Sequence, residues 1–277
     1  MSFWGRWWLC AGLLVPAVHA AAQDPGTVHE APYVPSPLST VDEMLRLAQV
    51  GPRDIVYDLG AGDGRVVIAA AAKFGARGVG VEIDVELVAL ARARASRAGV
   101  ADRVRFLQRD LFETDLREAT VIALYLAPNF NLRLRPALLA LAPGTRIVSH
   151  SSGMGDWRPD GKTAIRKDVL LWVVPANVAG RWRATVAGAP RARALELDIA
   201  QRYQDIAASA LLDGAQAHVW EAWLEGDRLR FVVVEGIGTD GEAGLYFEGR
   251  VAGGVIEGTV ARGFGAARQV LPWRAVR

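Results

Sequence analysis

The pattern of hydrophobic and polar residues changes near residue 177. Before that point, short apolar runs typical of buried strands, such as Ile55–Leu59, alternate with segments of helical composition. After it, apolar and polar residues alternate with a period of two from residue 180 to residue 276, with no helical segment between the runs. The pattern predicts an α/β domain with a Rossmann-like doubly wound sheet over residues 39–176. It also predicts an all-β antiparallel barrel or sandwich over residues 177–277.

The first residues have the pattern of a targeting segment. Arg6 precedes the apolar run Trp7–Val18, and small residues follow at Ala20–Ala22. The run is too short to span a bilayer comfortably. We therefore expect residues 1–22 to be a cleaved signal peptide, with an uncleaved anchor as the alternative, and residues 23–38 to be a proline-containing linker. Both alternatives place the body of the protein outside the cytoplasm, either exported to the periplasm or anchored at the membrane.

Composition and charge narrow the class of protein. Hydrophobic residues make up 51% of the chain, which excludes a disordered protein. The formal net charge is +2 and no run of like charge is present, so we expect no nucleic-acid partner. Cys10 is the single cysteine and lies in the predicted signal peptide, so the mature chain is expected to have no disulfide. No His, Cys or Asp cluster has the spacing of a metal site.

The loop after the first predicted strand carries the clearest ligand signal. Gly60, Gly62 and Gly64 form a G-x-G-x-G run, and Arg65 stands where a dinucleotide fold needs its third glycine. Glycines at alternate positions let the backbone turn sharply and approach a ligand closely. Asp58, just before the loop, would repel a phosphate but accept a hydrogen bond from an ammonium group. This combination favours a ligand with a cationic amino acid end.

The run Asp58–Gly64, D-L-G-A-G-D-G, resembles the first motif of class I S-adenosylmethionine-dependent methyltransferases. An acid at the tip of the second strand, Glu82, is placed to accept ribose hydroxyls. The resemblance implies that Asp110, beyond the third strand, takes the adenine amino group and that the next backbone N–H reads the ring. The implied S-adenosylmethionine-binding residues are Asp58, Gly60, Ala61, Gly62, Glu82, Ile83, Asp110, Leu111 and Tyr125.

Further motifs resemble one particular group of these methyltransferases. They are Pro32–Pro35, Leu124–Leu126, Asn131–Pro136 and Ser149-His150 followed by Gly155–Trp157. Together they are similar to the mitochondrial protein-lysine methyltransferases that modify the ATP synthase c subunit and the adenine nucleotide translocase. The resemblance implies N-methylation of a protein lysine by in-line transfer, on a substrate that can be membrane-associated. Ser151 departs from the bacterial group, in which an acid often follows Ser-His, and this puts an acid–base role of that loop in doubt.

Tyr125 and Tyr33 are the candidates for the lining of the catalytic site. Tyr125 ends the fourth predicted strand, which exits beside the glycine loop, so its side chain should face the transferable methyl group. Tyr33 lies in a proline-flanked segment that either lines the site or is a plain linker. His150 is either a base or, as we favour, a hydrogen-bonded residue at a strand end.

Two functions remain open at this point. The first is the methyltransferase. The second is a catalytically inactive exported binding protein, in which the β domain binds a ligand and the nucleotide fold is only a scaffold. In the β domain, four tryptophans are expected in the core or at the rim: Trp182, Trp220, Trp223 and Trp273. The sequence does not predict an oligomeric state.

Overall fold

The structure is a computed structural model. It describes residues 34–163, 168–187, 191–235, 244–263 and 268–277. The predicted signal peptide and Tyr33 therefore lie outside the described residues, as does most of the predicted linker. Among the described residues, no helix is both long and apolar enough to cross a bilayer.

The first part of the chain alternates strands and helices. The helices are α1 (Leu38–Leu47), α2 (Arg65–Phe74), α3 (Val85–Arg97) and α4 (Pro128–Leu139). The strands are β1 (Ile55–Leu59), β2 (Arg77–Glu82), β3 (Val104–Gln108), β4 (Val121–Leu124), β5 (Arg146–His150), β6 (Gly161–Lys162) and β7 (Val169–Val173). A short 3₁₀ turn, Leu111–Glu113, follows β3. These strands confirm the predicted α/β class.

The strands form one mixed sheet in the order β3-β2-β1-β4-β5-β7-β6. β1 to β5 are parallel to one another, and β7 runs antiparallel to β5. β2 and β3 extend the sheet on one side of β1, whereas β4 and β5 extend it on the other side. The strand order therefore reverses between β1 and β4. Open α/β sheets bind ligands outside the carboxyl ends of the strands at such a switch point. The sheet therefore places the glycine loop after β1 at the expected site.

Local signals explain where two of the helices begin and end. The Asp84 side chain accepts hydrogen bonds from the backbone N–H groups of Glu86 and Leu87, which caps α3. Gly75 ends α2 in the left-handed conformation, with φ of +71°. The residues that set these two ends are adjacent to the helices in the sequence, so both ends can be predicted from the sequence alone.

The predicted start of α1 is wrong. The spacing of Thr40 and Glu43 is that of a capping box and predicts a helix beginning at Val41, but α1 begins at Leu38 after Pro37, with no side-chain cap bond. Pro37 has φ of −55° and ψ of 143° and precedes the first turn directly. Thr40 is buried, so it is part of the packed face of the helix and is not a cap at its end.

The second part of the chain is a closed barrel of antiparallel strands, which decides between the barrel and the sandwich. Its strands are β8 (Gly180–Val186), β9 (Arg193–Arg202), β10 (Asp205–Leu212), β11 (Ala215–Glu225), β12 (Arg228–Val234), β13 (Leu245–Ala252), β14 (Val255–Arg262) and β15 (Gln269–Val276). The order around the barrel is β10-β11-β12-β13-β14-β15-β8-β9. The strands β8 to β15 all lie within residues 180–276, the region whose period of two predicted antiparallel strands.

The four barrel tryptophans divide into two pairs. Trp182 and Trp273 are buried, and Trp273 meets the ring of Phe247 edge-on at 4.9 Å in the barrel core. Trp220 and Trp223 are 62% and 40% exposed, so of the two expected positions, core or rim, the core is excluded for them. A β-bulge lies between these two residues. The bulge shifts the alternation by one residue, and both side chains consequently point outward.

Candidate functional site

Three carboxylates lie along one edge of the sheet. Asp58 is near the end of β1, Glu82 ends β2 and Asp110 follows β3. The three strands are neighbours and parallel, so their carboxyl ends meet. The backbone N–H of Arg109 donates to the carbonyl of Glu82 at 3.0 Å, which brings the β3 exit next to the end of β2. The structure thus brings together the acids that the sequence named.

Asp58 is a buried carboxylate in an unfavourable environment. Its side chain is almost fully buried, and no hydrogen bond to it comes from the part of the chain that the structure describes. Burial raises the pKa of Asp58 well above its usual value, and the nearby charges of Glu82 and Asp63 raise it further. A positively charged group is the natural partner for such a site. The ammonium group of an amino acid meets this requirement.

Glu82 holds the glycine loop. One of its carboxylate oxygens accepts a hydrogen bond from the Gly62 N–H at 2.8 Å, and the other accepts from the N–H groups of Ile83 and Asp84. The Gly60 and Ala61 N–H groups both donate to the carbonyl of Val81 at 2.9 Å. These loop N–H groups are engaged within the protein, whereas a phosphate-binding loop must offer them to the ligand. The loop is therefore built for a ligand without a phosphate.

Gly64 is fixed by both conformation and space. Its φ is +78°, and a Cβ atom there would lie 2.7 Å from ring atoms of Phe106. We expect Gly64→Ala to lower the free energy of unfolding by ~2 kcal/mol or more, since it combines left-handed strain with a clash. Gly99→Ala is the control, because Gly99 has a similar φ of +68° and open space around it. Urea unfolding of both variants checks this, and equal losses would show that the Phe106 contact is unimportant.

The adenine end of the predicted site is shaped by the turn after β3. One oxygen of Asp110 accepts from the Phe112 N–H at 2.8 Å and caps the 3₁₀ turn. Leu111 is partly buried against the core of the sheet. Ile83 is 54% exposed at the neighbouring strand tip and offers an apolar surface for a ring. The role of these residues in binding adenine stays a prediction.

A cluster of three side chains lies at the β4 and β5 exits. The rings of Tyr125 and His150 stack with centroids 4.2 Å apart. The Ser36 hydroxyl lies 3.0 Å from Nδ1 of His150, and both residues are buried. The carbonyl of Ser36 accepts a hydrogen bond from the Arg65 guanidinium, directly after the glycine loop. Ser36, just before α1, therefore links the glycine loop to the Tyr125 side of the site.

A buried amide that the sequence did not single out as a site residue holds the two exit loops. Asn131 in α4 is fully buried, and its amide nitrogen donates to the Ser149 hydroxyl and the Ser152 carbonyl. The Ser152 hydroxyl donates to the carbonyl of Leu126, beside Tyr125. Asn131 thus fixes the loops that carry Tyr125 and His150. A polar residue at a core-facing position of a helix was the available signal.

The loop after β5 is also held by the barrel. Trp157 is fully buried, donates its indole N–H to Gln204 at 3.0 Å and stacks on Tyr203 with centroids 5.9 Å apart. Asp156 accepts hydrogen bonds from Arg202 and Tyr203, and the Arg202 contact is the main reason that its pKa falls to about 2. The β9–β10 turn of the barrel thereby clamps a loop at the catalytic edge of the sheet.

Residues 58–161 match the model of the ANTKMT methyltransferase domain. A protein-lysine N-methyltransferase of Saccharolobus islandicus is 45% identical over 134 residues, which cover 48% of this chain and 83% of that protein. The chain belongs to the ANTKMT methyltransferase family. It is an S-adenosylmethionine-dependent methyltransferase.

Two further relatives of this methyltransferase define the extent of the likeness. The adenine nucleotide translocase lysine N-methyltransferase of Mus musculus is 35% identical, over 54% of this chain and 67% of the relative. The structure of an RNA methyltransferase from Salinibacter ruber in complex with S-adenosyl-L-homocysteine has 54% identity and a TM-score of 0.51, over 52% of this chain and 96% of that one. The family match ends before the barrel begins.

The site of this methyltransferase fits the donor. Asp58 supplies a buried carboxylate that accepts no hydrogen bond from the residues that the structure describes, and it suits the cationic amino acid end. Glu82 has lone pairs beyond those that hold the loop, and the loop N–H groups already engaged within the protein offer no phosphate cradle. The predicted roles of the individual residues in holding S-adenosylmethionine are consistent with these contacts and stay predictions.

Proposed function

We propose that this methyltransferase transfers a methyl group to the side-chain amine of a lysine in a protein substrate. The main support is the relationship to a protein-lysine N-methyltransferase along most of that relative's length. In this proposal the acceptor enters beside the Tyr125–His150 stack, which provides an aromatic, partly buried wall. The intact glycine loop and the acids Asp58, Glu82 and Asp110 argue against the alternative of an inactive binding protein, because a scaffold has no physical need for all of them.

The donor supplies an electrophilic methyl group that an amine takes by in-line displacement. Asp58, Glu82 and the glycine loop would hold the donor, and the wall made by Tyr125 and His150 would direct the acceptor. Holding two reactants along one axis supplies roughly 7 to 11 kcal/mol of the barrier reduction. A lysine must lose its proton before it reacts, and a partly desolvated wall favours the neutral amine.

His150 acts in this proposal as a positioning residue. Burial lowers the pKa of His150 below its ordinary value, so the imidazole is neutral at pH 7 and can stack on Tyr125 without a charge. We expect His150→Ala to lower kcat for the protein acceptor by about tenfold or more, with unchanged donor affinity. His150→Phe keeps an aromatic ring and should recover much of the loss. If kcat falls equally in both variants, and if both also lose the decrease of kcat at low pH, the imidazole itself takes part in proton transfer.

Transfer of labelled methyl groups identifies the acceptor. The full chain is incubated with tritiated S-adenosylmethionine and extracts of membranes and soluble proteins, and labelled lysine is located by mass spectrometry. RNA is included as a separate acceptor because one related structure is described as an RNA methyltransferase. Label in methyl-lysine supports the proposal, and label only in RNA contradicts it.

We also propose that the protein acts outside the cytoplasm, with a membrane-associated protein as an allowed substrate. The support is the positively charged, apolar, small-residue pattern of residues 1–22. Cell fractionation with N-terminal sequencing tests it. A cytoplasmic chain that still begins at Met1 would contradict the proposal.

A further inference from the structure

The backbone of Ser36 is fixed by its neighbours and by the glycine loop. Pro35 and Pro37 flank Ser36, and a proline fixes its own φ and restricts the residue before it to an extended conformation. The Ser36 carbonyl accepts a hydrogen bond from the Arg65 guanidinium at 2.7 Å. Asp63 accepts two bonds from the same guanidinium, at 2.9 and 2.7 Å. Ser36 therefore keeps a fixed position relative to the glycine loop, which contains Asp63 and directly precedes Arg65.

The side chain of Ser36 contacts one nitrogen of His150. The hydroxyl oxygen lies 3.0 Å from Nδ1, and the two residues are only 5% and 9% exposed. Among the residues that the structure describes, the Ser36 hydroxyl has no second hydrogen-bond partner. A hydroxyl has one hydrogen to donate, and a buried hydroxyl needs an acceptor for it. Nδ1 of His150 is that acceptor.

This hydrogen bond determines the tautomer of the imidazole. His150 is neutral at pH 7, because burial lowers its pKa and outweighs the opposite effect of the Asp168 charge. A neutral imidazole carries one hydrogen, so a nitrogen that accepts from a hydroxyl leaves the hydrogen on the other nitrogen. His150 is consequently protonated at Nε2, which makes Nε2 a donor and not a base.

The same hydrogen bond selects one orientation of the ring. Tyr125 stacks on the imidazole with centroids 4.2 Å apart and planes 28° from parallel. A half-turn of the imidazole about its Cβ–Cγ bond would preserve this stack but would exchange Nδ1 for a C–H group. The Ser36 hydroxyl therefore decides where the Nε2–H group lies. In the part of the chain that the structure describes, no residue hydrogen-bonds to Nε2, so a ligand can accept from it.

We propose that Ser36 is a positioning residue for the acceptor. Its hydroxyl holds His150 in one ring orientation and in the Nε2–H tautomer, and that N–H donates to a backbone carbonyl of the segment that carries the acceptor lysine. Every polypeptide presents such carbonyl groups on either side of a lysine, and they require donors when they are desolvated. The proposal rests on the proposed function, because it takes a polypeptide as the acceptor. It also excludes His150 as the base, since a protonated Nε2 cannot take a proton from the lysine.

Nitrogen NMR tests the tautomer without any methyl transfer. The full chain is labelled with histidine that contains the heavy nitrogen isotope, and the His150→Phe variant identifies the His150 signals. At about pH 8, where His150 is neutral, we expect Nδ1 to have the shift of an unprotonated nitrogen and Nε2 that of a protonated one. In Ser36→Ala the two shifts should move toward each other, because both tautomers become populated. Ser36→Thr keeps the hydroxyl and should restore the original shifts. A hydrogen on Nδ1 in the unaltered protein, or unchanged shifts in Ser36→Ala, would overturn the proposal.

Methyl transfer tests the positioning role. With the extract that yields the most methyl-lysine, Ser36→Ala should lower the initial rate about three- to tenfold, the effect of one lost hydrogen bond. Donor affinity, measured by calorimetry, should not change, and Ser36→Thr should recover most of the rate. Thr40→Val is the control, because it removes another buried hydroxyl four residues further along the chain. A normal rate in Ser36→Ala, no recovery in Ser36→Thr, or an equal loss in Thr40→Val would overturn the positioning role.

The outcomes are distinct from those of the proposed function. If no extract yields methyl-lysine, the proposed function fails and the acceptor role of Nε2 fails with it, while the NMR measurements still decide whether Ser36 sets the tautomer. Methyl-lysine formed at a normal rate by Ser36→Ala would overturn the present proposal alone. If Ser36→Ala does not fold, as judged by circular dichroism, the nitrogen shifts of the unaltered protein and of Ser36→Thr decide.

Discussion

Asp58→Asn is expected to abolish useful binding of S-adenosylmethionine and at the same time to stabilise the unliganded protein. The loss of affinity should be about 100-fold or more, since the substitution removes one partner of a buried charge pair. Calorimetry with S-adenosylmethionine and S-adenosylhomocysteine measures it. Asp115→Asn is the control, because Asp115 is exposed and its pKa of about 2 is set by Arg117. Donor affinity within threefold of the unaltered protein would exclude Asp58 as a ligand.

The expected gain in stability of the Asp58→Asn variant follows from the upward shift of the Asp58 pKa in the folded protein. The folded-state pKa is raised above that of the unfolded chain, so the folded state binds more protons between the two values. The contribution of Asp58 to stability is fully present below the unfolded pKa and is lost as pH rises through the folded pKa. Thermal unfolding of the variant should therefore match that of the unaltered protein near pH 4 and exceed it at higher pH. A variant that is less stable at pH 8 would contradict this account.

Binding of the donor should also release a proton. A cationic ligand beside Asp58 favours the ionised carboxylate and lowers the pKa that burial, Glu82 and Asp63 raise. Titrations at about pH 5 to 7 in buffers of different ionisation enthalpy measure the number of protons released. The Asp58→Asn variant should release none through this group. Equal heats in all buffers would indicate that Asp58 is ionised before the donor arrives.

The donor side of the site was predictable from sequence because its determinants are local. The apolar run of β1, the glycine spacing and the acids at successive strand tips lie close together along the chain. A parallel sheet brings strand ends together by rule, so the meeting of Asp58, Glu82 and Asp110 needed no knowledge of distant contacts. The sequence did not reveal that Glu82 also ties down the Gly62 N–H.

The acceptor side was predicted poorly because its contacts are long-range. Ser36 contacts His150 although the two lie 114 residues apart in the sequence, and Asn131 in α4 bonds to Ser149 in β5 and to Ser152 just after it. The hydrophobic periodicity of the sequence does not predict hydrogen bonds between residues so far apart along the chain. In the barrel, the period of two predicted the strands but not their closure, which depends on β8 meeting β15 at the far end of the chain. The outward position of Trp220 required knowledge of a bulge.

The contact between the sheet domain and the barrel was not predicted at all, and it should matter for both stability and activity. Trp157 on the β5 exit loop is enclosed by Trp172 from the sheet and Tyr203 from the barrel, and its carbonyl accepts the Trp172 indole N–H. A loop held in this way keeps a fixed position relative to His150, a few residues earlier. The barrel therefore supports the acceptor side of the site from outside the family domain.

Trp157→Ala is expected to lower the free energy of unfolding by about 3 to 5 kcal/mol, the usual result of truncating a fully buried tryptophan. At a temperature where the variant is folded, kcat/KM for the protein acceptor should fall by about tenfold or more. The donor affinity should stay within about twofold, since the three acids predicted to hold the donor, Asp58, Glu82 and Asp110, lie at the ends of β1 to β3. Trp220→Ala is the matched control, because it removes an exposed tryptophan from the barrel that clamps Trp157. It should change the free energy of unfolding by no more than ~0.5 kcal/mol. Equal effects of the two substitutions would show that the clamp is unimportant. A large loss of donor affinity in Trp157→Ala would show that the loop serves the donor rather than the acceptor.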